Sequence, residues 1–225
     1  MRTAFVLGAI AAITSVASAT VSYSDGTFSL SGANSWAVET LGQGSASASQ
    51  SASGNPGTAR QVNLTTGGNG GDTIWAFSRF GSTTATRYEP ANQGAILSLS
   101  WTIDARLTQG GGDGQALWLA LKQGQLIYVA DAHVTGSSGQ WNTFGGSGIL
   151  AADFARLDGQ SGTPDFSVAG APIRFGFVNG NSTTGGSYST AALYDNWSVT
   201  VNTVPAPATC LLAGSLVMAG RRRRA

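Results

Sequence analysis

Between residues 97 and 107 every second side chain is apolar: Leu97, Leu99, Trp101, Ile103, Ala105 and Leu107 alternate with Ser98, Ser100, Thr102, Asp104 and Arg106. Successive side chains of a strand point to opposite faces, so this pattern describes a half-buried strand of an antiparallel sheet. The alternation returns at Leu117, Leu119 and Leu121, at Ile173, Phe175 and Phe177, and at Trp197, Val199 and Val201, each run bounded by Gly or Asn. Weaker strand patterns cover residues 21–30, 36–41, 60–65, 73–80 and 126–130. Asn55-Pro56-Gly57 is a turn signal, and residues 45–53 (SASASQSAS) read as a flexible loop or a small-residue edge strand. A single helix of two turns is expected over residues 149–157. Roughly ten short strands with glycine turns predict an all-β, antiparallel β-sandwich of jelly-roll type.

The ends of the chain read differently. Arg2, the apolar residues 4–13 and the small residues Ala17-Ser18-Ala19 form a secretory signal peptide over residues 1–19, cleaved after Ala19. The folded domain is then 20–203, one domain with a substantial core. Residues 204–225 are VPAPATCLLAGSLVMAGRRRRA. Pro205 and Pro207 stop strand pairing and hold the chain extended. An apolar run of 13 residues follows, from 208 to 220. As a helix it spans only about 20 Å of a hydrocarbon core of about 30 Å, which makes it a short transmembrane helix. Arg221, Arg222, Arg223 and Arg224 keep that end cytoplasmic.

This tail resembles the C-terminal sorting signal of bacterial PEP-CTERM proteins, which has the same order of parts: proline motif, apolar segment, arginine-rich end. The residues that carry the likeness are Val204, Pro205, Ala206, Pro207 and Arg221 to Arg224, with Ala206 standing where the family has Glu. The resemblance implies an exosortase-like processing enzyme as partner, membrane attachment through the C-terminal helix, and export to the cell envelope, cell surface or extracellular matrix of a bacterium. The segments IRFGFVNGN from Ile173 and LYDNWSVTV from Leu193 resemble the closing strands of jelly-roll, lectin-like domains that precede such tails.

Charge and chemistry narrow the function. Setting aside Arg2 and the four tail arginines leaves seven basic residues of twelve against eleven acids, so the domain is net −4 and carries no nucleic-acid-binding signature. Its only cysteine, Cys210, lies in the tail, so the domain holds no disulfide. One histidine, His133, expected in a solvated loop, and two glutamates, Glu39 and Glu89, offer little for catalysis, and no G-x-S-x-G elbow occurs. Residues 67–74 (GGNGGDTI) match a calcium-binding nonapeptide in a single copy, which lacks the stacked neighbours that such a site needs and reads as a glycine loop opening a strand. No cofactor is expected beyond a calcium ion near the domain termini, for which Asp25 and Asp195 are the candidates. Trp118, out of phase with its flanking leucines, Trp141 after Gly139-Gln140, and Tyr128 are the candidate glycan contacts.

The sequence therefore points to an exported, non-catalytic, adhesive or glycan-contacting protein with a polysaccharide partner. The competing class is a carbohydrate-active hydrolase on the same scaffold, which would need two carboxylates facing each other across a groove. The mature N-terminus is expected at Thr20, and mass spectrometry of the protein recovered from envelope material checks it: a peptide retaining Met1 would refute cleavage.

Overall fold

The computed structural model describes residues 18–110, 114–136 and 139–204. Twelve strands are present there: β1 (Ala19–Asp25), β2 (Ala37–Gly42), β3 (Gly44–Gly54), β4 (Gly57–Thr66), β5 (Thr73–Arg79), β6 (Ala95–Gln109), β7 (Ala116–Gln123), β8 (Leu126–Val134), β9 (Asn142–Ile149), β10 (Ala155–Arg156), β11 (Ile173–Ser182) and β12 (Ser189–Val204). One antiparallel sheet has the order β3-β4-β12-β6-β9, with β1 also on β12, and the other runs β10-β8-β7-β11-β5-β2. Apart from the β7–β8 hairpin, successive strands of the inner orders β4-β12-β6-β9 and β5-β11-β7-β8 cross from one sheet to the other, which is jelly-roll connectivity.

The alternating apolar runs meet between the sheets. Leu117, Leu119, Leu121, Phe175 and Phe177 of one sheet face Leu99, Trp101, Ile103, Val199 and Val201 of the other in a single buried cluster. Trp36 sits at one end of it, with the rings of Phe28, Phe80, Phe177 and Trp197 at 4.9 to 5.7 Å between centroids. Residues 45–53 fall in an edge strand, β3, whose Ala46 and Ala48 pack inward while its serines face out.

Four expectations are corrected. Leu97 is 49% exposed and Ile96 is buried instead, because the ladder to β12 slips between Asn202 and Thr203 and leaves Leu97 as the extra residue of a bulge. The helix over 149–157 is a single 3-10 turn, Ala151–Asp153, after which Phe154 turns into the core and Ala155–Arg156 pairs with β8. A one-turn helix, α1 (Pro90–Gln93), forms outside the single helix expected over 149–157, started by Pro90 at its first turn. His133 is a strand residue rather than a solvated loop residue. β8 continues past Ala130 through a bulge at Asp131, and His133 lies 5.4 Å from the ring of Phe144 and 6.0 Å from that of Trp101.

β12 has β6 along one flank, while its other flank is shared: β4 covers residues 189–194 and β1 covers 197–203. Asp195 and Asn196 lie in the gap, where no strand serves their backbone on that side. Amide side chains and loop backbone fill it. Asp195 accepts from the backbone N–H of Asn55 at 2.5 Å, and Asp104, directly opposite on β6, accepts from Nδ2 of Asn196 at 2.8 Å and of Asn55 at 3.2 Å. Burial raises the Asp195 pKa, the N–H groups of Asn55 and Asn196 draw it back, and the charges of Asp104 and Asp25 raise it again. The stability this group contributes is thus complete below the ordinary carboxylate pKa of about 4 and is lost as pH rises through the higher folded value.

Arg60 of β4 is buried and, among the described residues, pairs with no carboxylate; desolvation lowers its pKa to about 10. It ties the sheets together: Nε donates to Ser78 Oγ on β5 at 2.9 Å, Nη2 donates to the Ala37 carbonyl at 3.1 Å, and the guanidinium lies 5.5 Å from the Trp36 ring centroid. A lysine ammonium cannot reproduce this fork. Arg60→Lys is therefore expected to destabilise the domain by about 1–3 kcal/mol, read as a lower urea midpoint with an unchanged slope.

Candidate functional site

The strand register carries Trp118 of β7, Val178 of β11, Phe77 of β5 and Glu39 of β2 on one row of the second sheet, on the face turned away from the core. That face is concave. Glu39 and Lys122 stand on strands three spacings apart, roughly 14 Å across a flat sheet, and Lys122 lies four residues beyond Trp118 of the Glu39 row, roughly 13 Å along the strand, yet Lys122 Nζ meets Glu39 Oε2 at 2.6 Å. Leu41 of β2 and Leu157 beyond β10, from opposite edges of the sheet, line the same small cavity of about 120 Å³ with Ile127. The cause lies in side-chain size. Ala120, Gly176 and Gly180 face the hollow, whereas Leu119, Leu121, Phe175 and Phe177 fill the inner side.

Two features occupy this hollow. At one end the rings of Trp75 and Trp118 meet edge to face at 5.1 Å and 70°, both partly exposed. Trp75 rests directly on Gly180, where a Cβ would come within 2.1 Å of its six-membered ring. At the other end, about 14 Å along the strands, a cavity of about 340 Å³ is lined by Glu39, Arg79, Arg87, Lys122 and Arg174, with Gly124, Gln125, Ala171 and Pro172. Glu39 is held by Lys122 and, at 3.5 Å, by Arg79, and Glu89 pairs with Arg87. Among the described residues Arg174 makes no ion pair with a carboxylate. Its guanidinium donates to the carbonyls of Gly81 at 3.1 Å, Thr83 at 3.2 Å and Ser82 at 3.5 Å. Its pKa is lowered by desolvation first and by the charges of Arg79 and Arg87 next, with Glu89 opposing.

The residues singled out in the sequence do not converge. Trp118 is in the hollow. Trp141 precedes β9 of the opposite sheet, with the guanidinium of Arg106 5.0 Å from its ring centroid. Tyr128 is paired with Leu121, points into the core and is 6% exposed, so it is no ligand contact. Asp25 ends β1 opposite Trp197, next to Asp195 along the ladder. Its two oxygens accept from Thr27 at 2.6 Å and from Trp36 Nε1 at 2.7 Å, and among the described residues no group of three or more His, Cys, Asp or Glu side chains is arranged to hold a metal ion. Ala19 is the first residue of β1, paired with Thr203, and Val204 is the last of β12. Ala17, Pro205, Ala206, Pro207 and Arg221 to Arg224 lie outside the described residues; among the described residues no helix is long and apolar enough to cross a membrane.

Arg79, Arg87, Lys122 and Arg174 were not singled out by sequence, although a signal was there. Trp75-x-Phe77-x-Arg79 and Trp118-x-Ala120-x-Lys122 each put an aromatic, an apolar or small residue and a cation on one face at spacing two. β5 and β7 both run antiparallel to β11, so their aromatic ends coincide and so do their cationic ends.

No family model and no curated protein matches the sequence. Among solved structures, the chain is similar to the family 11 carbohydrate-binding module from Clostridium thermocellum in complex with a β-1,3-1,4-mixed-linked tetrasaccharide, at 13% identity over 79% of this chain and 94% of that one, with a TM-score of 0.46. It is also similar to a xylan-binding domain of carbohydrate-binding module family 22, at 12% identity over 81% and 94%, TM-score 0.44. A third is a mannan-recognising module of family 27, at 13% identity over 75% and 89%, TM-score 0.40. Likeness of this degree assigns no ligand and no residue role.

Gly180→Ala is expected to push Trp75 off the sheet, costing about 1–3 kcal/mol through overpacking. The check is a red-shifted tryptophan emission together with a lower unfolding midpoint.

Proposed function

We propose that this chain is an exported, envelope- or matrix-associated protein, sorted by its PEP-CTERM-like tail, whose concave sheet face binds a polysaccharide without cleaving it. The observation that carries the binding reading is the hollow itself: a long curved face with the Trp75–Trp118 step at one end and a polar cavity of about 340 Å³ at the other. Aromatic faces stack on the apolar faces of sugar rings while charged and amide groups bond their hydroxyls. The cavity wall carries Glu39 engaged by Lys122 and Arg79, an arrangement suited to holding a ligand rather than to passing a proton to it. Ala19 and Thr203 are paired on neighbouring strands, which is compatible with a leader before the one and a sorting tail after the other.

The purified protein is expected to bind a polysaccharide with a millimolar to micromolar Kd. Trp118→Ala is expected to weaken this about tenfold, with circular dichroism unchanged, and Trp141→Ala to leave it intact. Release of reducing sugar that disappears in Glu39→Gln would overturn the reading in favour of a hydrolase.

A further inference from the structure

Of the seven basic side chains in a domain of net charge −4, four line one cavity: Arg79, Arg87, Lys122 and Arg174. They arrive from β5, the segment after the Thr84–Thr86 turn, β7 and β11, so only the fold assembles them. Glu39 and Glu89 offset two of the four charges. Two positive charges are left over in a concave, partly desolvated site on an otherwise acidic molecule. Such a concentration opposes itself unless something relieves it, since like charges held together in a low-dielectric concavity raise one another's cost. Arg174 is moreover pinned by the carbonyls of Gly81, Ser82 and Thr83, which fixes its guanidinium at the cavity wall without neutralising it.

We propose that this cavity takes an anionic group of the ligand, so that the polysaccharide bound by the concave face is an acidic one, bearing carboxylate or sulfate on its sugar residues. The inference rests on the polysaccharide reading above and adds its ligand class. An anion between Arg87, Arg174 and Lys122 receives charge-assisted N–H···O bonds from groups that have already lost part of their hydration. The next ring along the hollow then lies towards the Trp75–Trp118 step, where stacking is indifferent to charge. Guanidinium forks match both carboxylate and sulfate oxygens, so the site chemistry is common to uronate and sulfate-ester sugars.

The test is affinity electrophoresis of the purified protein in gels carrying polygalacturonate, carboxyl-reduced polygalacturonate, dextran sulfate or dextran. Stronger retention by at least one acidic polymer than by its neutral counterpart, by about tenfold and shrinking with added salt, is expected, and which of the two retains the protein separates carboxylate from sulfate recognition. Arg87→Gln should weaken that retention about tenfold, while Glu39→Gln, which removes a negative charge from the same wall, should strengthen it several-fold. Opposite signs from two variants with equal unfolding midpoints exclude a folding defect. Equal retention by acidic and neutral polymers, abolished by Trp118→Ala but untouched by Arg87→Gln, would overturn the acidic ligand and leave polysaccharide binding standing. A preference for acidic polymers that neither Arg87→Gln nor Glu39→Gln alters would overturn the assignment to this cavity, and retention by no polymer would overturn both readings.

Discussion

Everything in this domain hangs on β12, a 16-residue strand with β6 along one flank and β4 followed by β1 along the other. One strand, itself the last of the described strands, thus holds the first, β1, and supplies Tyr194, Trp197, Val199 and Val201 to the core. The arrangement leaves one weak point, the gap at Asp195 and Asn196. Buried backbone groups must be paired, and here side chains do it: the Asp195 carboxylate accepts from the backbone N–H of Asn55 and of Asn196, and Asn196 Nδ2 donates to the Asn55 carbonyl, while Asp104 and Asp195 stand directly opposite each other. Two facing carboxylates would be unfavourable on their own. The donors from Asn55, Asn196 and Thr143 make the pairing tolerable.

The second sheet solves a different problem, that of bending. Its inner side carries large residues and its outer side carries Ala and Gly at the middle of β7 and β11, so packing on the two sides curls the sheet into a hollow. The Lys122–Glu39 ion pair follows from that curl. Exposed ion pairs contribute little to stability, and this one, at 20% and 33% side-chain exposure, matters chiefly as part of the wall of the cationic cavity. An otherwise acidic domain thereby presents a local positive field at the bottom of a concavity, where field lines are focused.

Much of the scaffold was legible in the residues because alternation at spacing two is a local property. The runs at 117–121, 173–177 and 197–201 land in the core as read. What escaped was non-local or unpatterned. β9, with its sequence Asn-Thr-Phe-Gly-Gly-Ser-Gly-Ile, has no alternation to detect and is a strand only because β6 needs a neighbour. Leu97 fell out of phase because of a bulge dictated by β12, and the expected helix near residue 151 gave way when Phe154 found a place in the core.

For the site the division is similar. By itself the sequence determined that Trp118 lies on the face opposite its leucines and that Arg79 and Lys122 share a face with Trp75 and Trp118, since parity along a strand needs no tertiary information. It also determined the charge balance of residues 20–203. Only the tertiary structure decided that Tyr128 is core, that Trp141 belongs to the opposite sheet, and that Arg87 and Arg174 join Arg79 and Lys122 around one cavity. These depend on strand order and sheet curvature, which come from packing the two inner faces together, and residues nearly a hundred positions apart carry no mutual signal until that packing is made.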